Sequence, residues 1–358
     1  MVTREQFVAE LNSEIDKEMD PELLAAQGRL LQRLGLLPPD TDLRKLLVDL
    51  NGGSVAAYYR PDMGTFYVIE SGKPFGTEEQ IYVAHEYTHA LQDQHFDLEA
   101  NRISDPSEGD AALAQLAVIE GDATLTMYLW AYQNLTYQQL LAIALGSLSG
   151  TDQATLQNVP PILSRQLLFP YSEGQTFVTQ LHDDGGFAAV NEALHRPPAS
   201  TEQILHADKY AAHEAPISVP RPDLIDALGA GWKQVDSEAF GELNMQVFAA
   251  GGEQPSQALP GLPGVEWPHS EAAAGWGGDR ISMWEGRDGG WVVAWISAWD
   301  SAADAEEFGA RVNELGPTLG GPVDVKRSGQ GDARGPETVT VVFASDATIR
   351  QKAESALH

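Results

Sequence analysis

The sequence predicts an α+β protein: a mainly helical part with a small β-hairpin over residues 1–228, and a smaller, Trp-rich α+β module over 229–358. Three observations carry this. Apolar residues recur at helical spacing through most of the first 210 positions. A short strand–turn–strand pattern interrupts them near residue 60. Seven of the eight tryptophans fall between 232 and 299, where β-branched runs replace the helical period. A chain of 358 residues can build one large domain or two ordinary ones, each with its own core.

Phe7, Leu11 and Ile15 mark a first amphipathic helix. A second opens at Asp20-Pro21 and stops at Gly35 and Pro38-Pro39. A third runs from Asp40-Thr-Asp-Leu to Leu50, where Asn51-Gly-Gly predicts a break. Residues 54–59 and 65–70 then read as strands around the turn Arg60-Pro-Asp-Met-Gly64. Thr77, followed by Glu78, Glu79 and Gln80, predicts a helix start with Thr77 as the cap. That helix passes Phe96 without a breaker. Further helices are expected at about 110–132, 136–148, 160–182, 186–194 and 201–206. A Gly/Pro-rich passage, Gly251–Pro268, reads as a loop. Strands follow at 280–284, 291–296 and 338–343, with helices at 301–315 and 346–357, as in a sheet with helices over one face. Trp276-Gly-Gly-Asp-Arg280 reads as a structural corner before a strand, with a substrate-contacting turn as the alternative.

Bulk composition excludes several classes. The 52 acidic against 22 basic residues give a net charge of −30, which argues against nucleic acid or an anionic membrane as partner. With no cysteine there is no disulfide, thiolate metal site or cysteine nucleophile. The opening MVTREQFVAEL has no apolar signal core, and no apolar run is long enough to span a bilayer. Gly146-Ser-Leu-Ser-Gly150 carries Leu148 where a nucleophile elbow needs serine.

The chemistry concentrates in Tyr82-Val-Ala-His85-Glu86-Tyr87-Thr88-His89-Ala-Leu-Gln92. On a helix His85 and His89 project from one face, one turn apart, where a single zinc ion accepts both imidazoles. Glu86 lies about 100° round, placed to reach a metal-bound water without displacing it. This is the His-Glu-x-x-His pattern of zinc peptidases. The plain alternative is a pair of surface histidines. Against it stand the apolar flanks (Ile81, Val83, Ala84, Ala90, Leu91), which predict a buried helix where an unpaired imidazole is costly.

Two residues compete as third ligand. His95 has the metzincin spacing, but that pattern needs Gly where Gln92 stands, to turn the chain back. If the helix continues, His95 lies about 240° round from His89 and about 9 Å further along, facing away. Glu120 comes from a separate helix, in Ala117-Val-Ile-Glu-Gly-Asp-Ala-Thr124, whose small residues permit close helix approach. The geometry favours Glu120.

HEYTHALQDQHFDL followed by AVIEGDATLTM resembles the gluzincin type of zinc metallopeptidase, with a zincin-like domain over 1–228. The stretches around Tyr58–Val68, Pro198–Tyr210 and Gly275–Arg280 resemble a largely uncharacterised bacterial family with that core. The resemblance implies a zinc endopeptidase: His85, His89 and Glu120 as ligands, Glu86 as general base, and a peptide or protein as substrate. It also implies an exported or envelope-associated protein. His206 and Tyr210 are the candidate oxyanion donors. The strand Thr65–Glu70 is a candidate edge for an extended peptide, and Asp93 and Asp122 are candidates to orient the imidazoles. The rival reading is a non-catalytic zinc scaffold whose C-terminal module binds a protein or glycan.

Overall fold

Side-chain caps start the first three helices. Thr3 and Gln6 form a reciprocal box ahead of α1 (Arg4–Glu18), Asp20 precedes Pro21 in α2 (Pro21–Arg33), and Asp42 caps α3 (Leu43–Ser54). The last helix runs through the predicted break at Asn51-Gly-Gly. Tertiary contact overrides the local preference: the Arg4 guanidinium of α1 donates to the carbonyls of Gly52 and Val55. The computed structural model describes residues 1–70, 72, 75–148, 159–254, 267–268, 270–328 and 336–357. Most of the Gly251–Pro268 passage lies outside them.

The hairpin pairs β1 (Ala57–Arg60) with β2 (Thr65–Val68), turning through Gly64 in the left-handed region. Next comes α4 (Thr77–Phe96), whose cap is Gly76 rather than Thr77; the Glu79 carboxylate accepts the Gly76 N–H at 2.7 Å. The helical part continues with α5 (Gly109–Asn134), α6 (Tyr137–Leu148) and α7 (Pro161–His195), the last kinked at Gly186. Short helices α8 (Thr201–Leu205), α9 (Ala207–Ala211) and α10 (Ile225–Leu228) lead into the sheet.

That sheet contains β3 (Trp232–Glu238), β4 (Trp276–Gly286), β5 (Trp291–Trp299), β6 (Val323–Ser328) and β7 (Glu337–Ala344). Its order is β3-β4-β5-β7-β6, every pair antiparallel. Helix α11 (Gly241–Ala249) follows β3, α12 (Ala302–Leu315) follows β5, and α13 (Ala347–Ala356) closes the described chain. Helices cover both faces, not the one face expected. Val293 and Trp295 pack under α11 and α12, while Val292 and Ala294 pack with Leu228 and Ala353 of α10 and α13. The reason is visible in Trp291-Val-Val-Ala-Trp-Ile296: apolar residues run without alternation, as in a strand buried on both sides. Phe240, Phe248 and Phe308 meet the Trp295 ring edge-on at 5.1–5.3 Å, contacts that add roughly 0.5–1.5 kcal/mol each beyond area burial.

The largest apolar cluster runs from Leu24, Leu30 and Leu43 through Ile162 to Trp295 and Phe343, so the sheet and the N-terminal helices share one core. Trp276-Gly-Gly-Asp-Arg280 is the opening of β4, with a register shift after Trp276, rather than a corner before it. Gly278 is required there: a Cβ would lie 2.1 Å from the Ile217 carbonyl oxygen.

Candidate metal centre

On α4 the buried residues are Glu86, Thr88, His89 and Gln92, whereas Tyr87 and Leu91 are exposed. The apolar flanks therefore do not set the buried face; the polar one is turned inward. Buried polar groups need partners, and here they have specific ones. The three expected ligand groups converge: His85 Nε2 lies 3.0 Å from Glu120 Oε2, His89 Nε2 lies 3.1 Å from His85 Nε2, and His89 Nε2 lies 3.4 Å from Glu120 Oε2. Donors about 2.1 Å from one ion at tetrahedral angles stand about 3.4 Å apart, so the triangle has the size a zinc ion needs.

Hydrogen bonds fix the tautomer of His89. Its Nδ1–H donates to Gln92 Oε1 at 2.8 Å. The Gln92 amide nitrogen in turn donates to the Ile119 carbonyl (3.0 Å) and to Asp122 Oδ2 (2.8 Å), neither of which can donate, so the amide has one orientation. Nε2 of His89 is thus the nitrogen that faces the centre, and it presents a lone pair there once its proton is displaced. The two bonds from the Gln92 amide lock α4 to α5. Gln92, standing where a metzincin needs glycine, is the pin between the two helices. Asp122 acts on the imidazole through Gln92. Asp93 does not reach an imidazole; it accepts from the Tyr59 phenol at 2.8 Å and the Leu98 N–H at 3.2 Å.

Electrostatics follow from this enclosure. Burial pushes the Glu120 carboxyl up, but the two imidazoles, His89 most, outweigh it and hold it well below the usual range. Burial likewise opposes a charged His89, yet Glu120 holds its pKa up at about 9. Burial raises Glu86, against the pull of both histidines and a hydrogen bond from the Tyr59 backbone N–H.

The sequence reading missed Tyr171. Its phenol lies beside Glu120, and its ring lies 6.2 Å from that of His85. The residue is 44% exposed, yet desolvation, with the Glu120 and Glu86 charges beside it, raises the phenol's pKa well above 10. A helix crossing brings it there. A Cβ on Gly121 would lie 2.4 Å from the Gly174 carbonyl oxygen, and one on Gly174 would lie 2.3 Å from that of Ala117. Backbones in contact put Tyr171, one turn before Gly174, beside Glu120. The small residues around Glu120 therefore serve the approach of α7, not that of α4 as expected. The one sequence signal for Tyr171 is this pair of glycines inside two helices.

A cavity of about 580 Å³ opens onto the centre; His85, Glu86, His89, Glu120, Tyr59 and Tyr171 line it. His206 and Tyr210 do not. His206 Nε2 pairs with Glu242 Oε1 at 3.1 Å, and the buried Tyr210 donates to the Arg196 carbonyl at 3.0 Å, with Phe177 edge-on to its ring. His95 is exposed, with its ring near Phe96, and lines no part of the cavity. The cavity-facing strand is β1, not the expected 65–70. Ile69 N–H donates to the Ala56 carbonyl, so by alternation the backbone groups of Ala57 and Tyr59 point away from β2. The outer edge of β2 is occupied instead by Val2, bridged to Ile69.

Among the described residues one other cluster has ligand-like carboxylates: Glu202, Glu214 and Asp300. Lys209 Nζ already occupies it, 2.6–2.8 Å from all three. Among the described residues no helix is long and apolar enough to cross a membrane.

Residues 229–353 match the model of a domain of unknown function, DUF8575, which covers the sheet and α11 to α13 but none of the residues that meet at the centre. No curated protein and no solved structure matches the chain.

Proposed function

We propose that the protein is a zinc-dependent metallopeptidase of the gluzincin type, hydrolysing a peptide bond in an extended peptide or unfolded protein. One observation carries the reading: two imidazole nitrogens and a carboxylate oxygen converge at 3.0–3.4 Å on the floor of a cavity, with a second carboxylate and a phenol beside them. Three lone pairs aimed at one point repel unless a cation or proton lies between them. The donor set fits zinc, and His85, His89 and Glu120 would hold it. Bound there, zinc would polarise the scissile carbonyl and lower the pKa of a water towards about 7.

Glu86 takes the proton of the attacking water and passes it to the leaving amine; its enclosure raises its pKa and so improves it as a base. The Tyr171 phenol donates to the carbonyl oxygen as negative charge gathers there, the role expected of His206 or Tyr210. It stays protonated across the working range, because burial raises its pKa. The free backbone groups of Ala57 and the Tyr59 carbonyl offer an extended substrate strand-like hydrogen bonds. The cavity leading to the centre weighs against a purely structural zinc scaffold, whose site would be closed.

The test is zinc analysis of the purified protein together with cleavage of a denatured protein, with and without a chelator. Glu86→Gln is expected to keep the metal and lower kcat by about 10²–10⁴-fold. A fully active Glu86→Gln variant removes the assignment.

A further inference from the structure

We propose that Tyr59 is a positioning residue for Glu86: its phenol, bonded to Asp93, holds β1 along α4 so that its own backbone N–H meets the Glu86 carboxylate. The inference deepens the peptidase reading and rests on it for the role of Glu86.

Glu86 and Asp93 are seven residues apart on α4, so they face the same way to within about 20° and stand about 10 Å apart along the axis. Tyr59 spans that interval. Its N–H, turned outward by the strand register, faces the Glu86 carboxylate, and its phenol donates to Asp93 Oδ2 at 2.8 Å. The other oxygen of Asp93 accepts the Leu98 N–H, which holds the acceptor in one rotamer. The strand needs such a tie: four residues paired to a single partner do not form a rigid element. The register supplies the other half of the device, since it turns the Tyr59 N–H away from β2 and leaves it free for the carboxylate.

The neighbouring tyrosine points elsewhere. Tyr58 stacks on Tyr67 at 5.1 Å, meets Phe7 at 4.9 Å and donates to Glu10 of α1 at 2.7 Å. Two consecutive phenols thus tie one short strand to two different helices, and only one of them passes Glu86. A hydrogen bond from that N–H would hold one carboxylate oxygen and leave the other for the water. Without that bond the carboxylate is free to rotate and its productive orientation is diluted.

Tyr59→Phe is expected to lower kcat by about 10–100-fold with KM and zinc stoichiometry unchanged. The Tyr59→Phe, Asp93→Ala double variant should be no worse than the worse single variant, since both break one contact. Independently of activity, amide exchange at residue 59 should accelerate by about tenfold or more in Tyr59→Phe and in Glu86→Ala. Tyr58→Phe, which loosens the opposite face of the strand, should leave that amide protected. Additive effects on kcat, or an unchanged residue-59 amide in Tyr59→Phe, overturn the proposal. The exchange measurement needs no turnover. A wild-type protein that binds zinc and cleaves nothing would therefore end the peptidase reading, while the residue-59 amide still decides the clamp.

Discussion

Glu120 in the helical part and Asp279 in the sheet are both enclosed carboxylates, and their surroundings are opposite. Asp279 accepts the backbone N–H groups of Phe240 and Gly241 at 3.0–3.1 Å and the indole N–H groups of Trp276 and Trp295 at 3.1 and 2.8 Å. Each of its hydrogen-bond partners is a donor, and it fastens the start of α11 to β4 and β5. Glu120 meets the Tyr171 phenol and two imidazole nitrogens, and a cavity opens beside it. The comparison teaches how to separate architecture from a site: count what faces the carboxylate, not how deeply it is buried. By that count the Glu202, Glu214 and Asp300 cluster joins Asp279, because the Lys209 ammonium answers it.

The largest expected effect separates the two carboxylates directly. Glu120→Ala should abolish bound zinc, read by metal analysis after desalting, while leaving the protein folded; His95→Ala should keep the metal. Zinc retained in the first variant and lost in the second would move the site to a metzincin-like ligand set.

Tyr171→Phe should keep the metal and lower kcat by about 10²–10³-fold, the cost of one transition-state donor. His206→Ala should change kcat little, because its imidazole is engaged with Glu242 away from the cavity. Steady-state kinetics on one peptide decide between the two residues.

Asp279→Ala leaves four buried donors without an acceptor and should destabilise the fold by at least about 3 kcal/mol, read from the urea midpoint. An unchanged midpoint would show that Asp279 does not hold α11 to the sheet.

The smallest effect is a pH slope. A cation must displace the proton that Glu120 retains on His89, whose pKa is about 9. Zinc affinity should therefore rise about tenfold per pH unit up to about pH 9 and level off above it, measured by competition with a chelator of known pH dependence. A flat profile below pH 9 would mean that Glu120 holds no such proton.

Much of the helical framework was legible because it depends on nearest neighbours along the chain. The helix starts at Asp20-Pro21 and Asp40-Thr-Asp-Leu, and the breaker-free run from Thr77 to Phe96, involve groups a few residues apart. The four-residue interval of His85 and His89 belongs to the same category. Hydrophobic periodicity failed on the most informative helix. It turned Ile81 and Leu91 inward, whereas the partners of Glu86, His89 and Gln92 lie on β1 and α5, out of reach of any local pattern. For the same reason β3 and β6 went unread. Lys233, Asp236 and Glu238 give β3 a polar composition, and its place in the sheet comes from pairing with β4.

The sequence by itself determined that two imidazoles and a carboxylate share a helix with the spacing of a metal-binding pair, since helical pitch is a property of the backbone. It also supplied no breaker at Gln92, and α4 does run on to Phe96, which turns His95 away from that pair. Tertiary structure alone decided the rest. Gln92 fixes the His89 tautomer because Ile119 and Asp122 accept from its amide, and Tyr171 reaches Glu120 because Gly121 and Gly174 let two helix backbones touch. Tyr59 meets both Glu86 and Asp93 because the hairpin register turns its N–H outward. Each of these depends on groups far apart in the chain, brought within hydrogen-bonding distance by packing, and hydrogen bonds are too short-ranged and directional to be inferred from spacing alone.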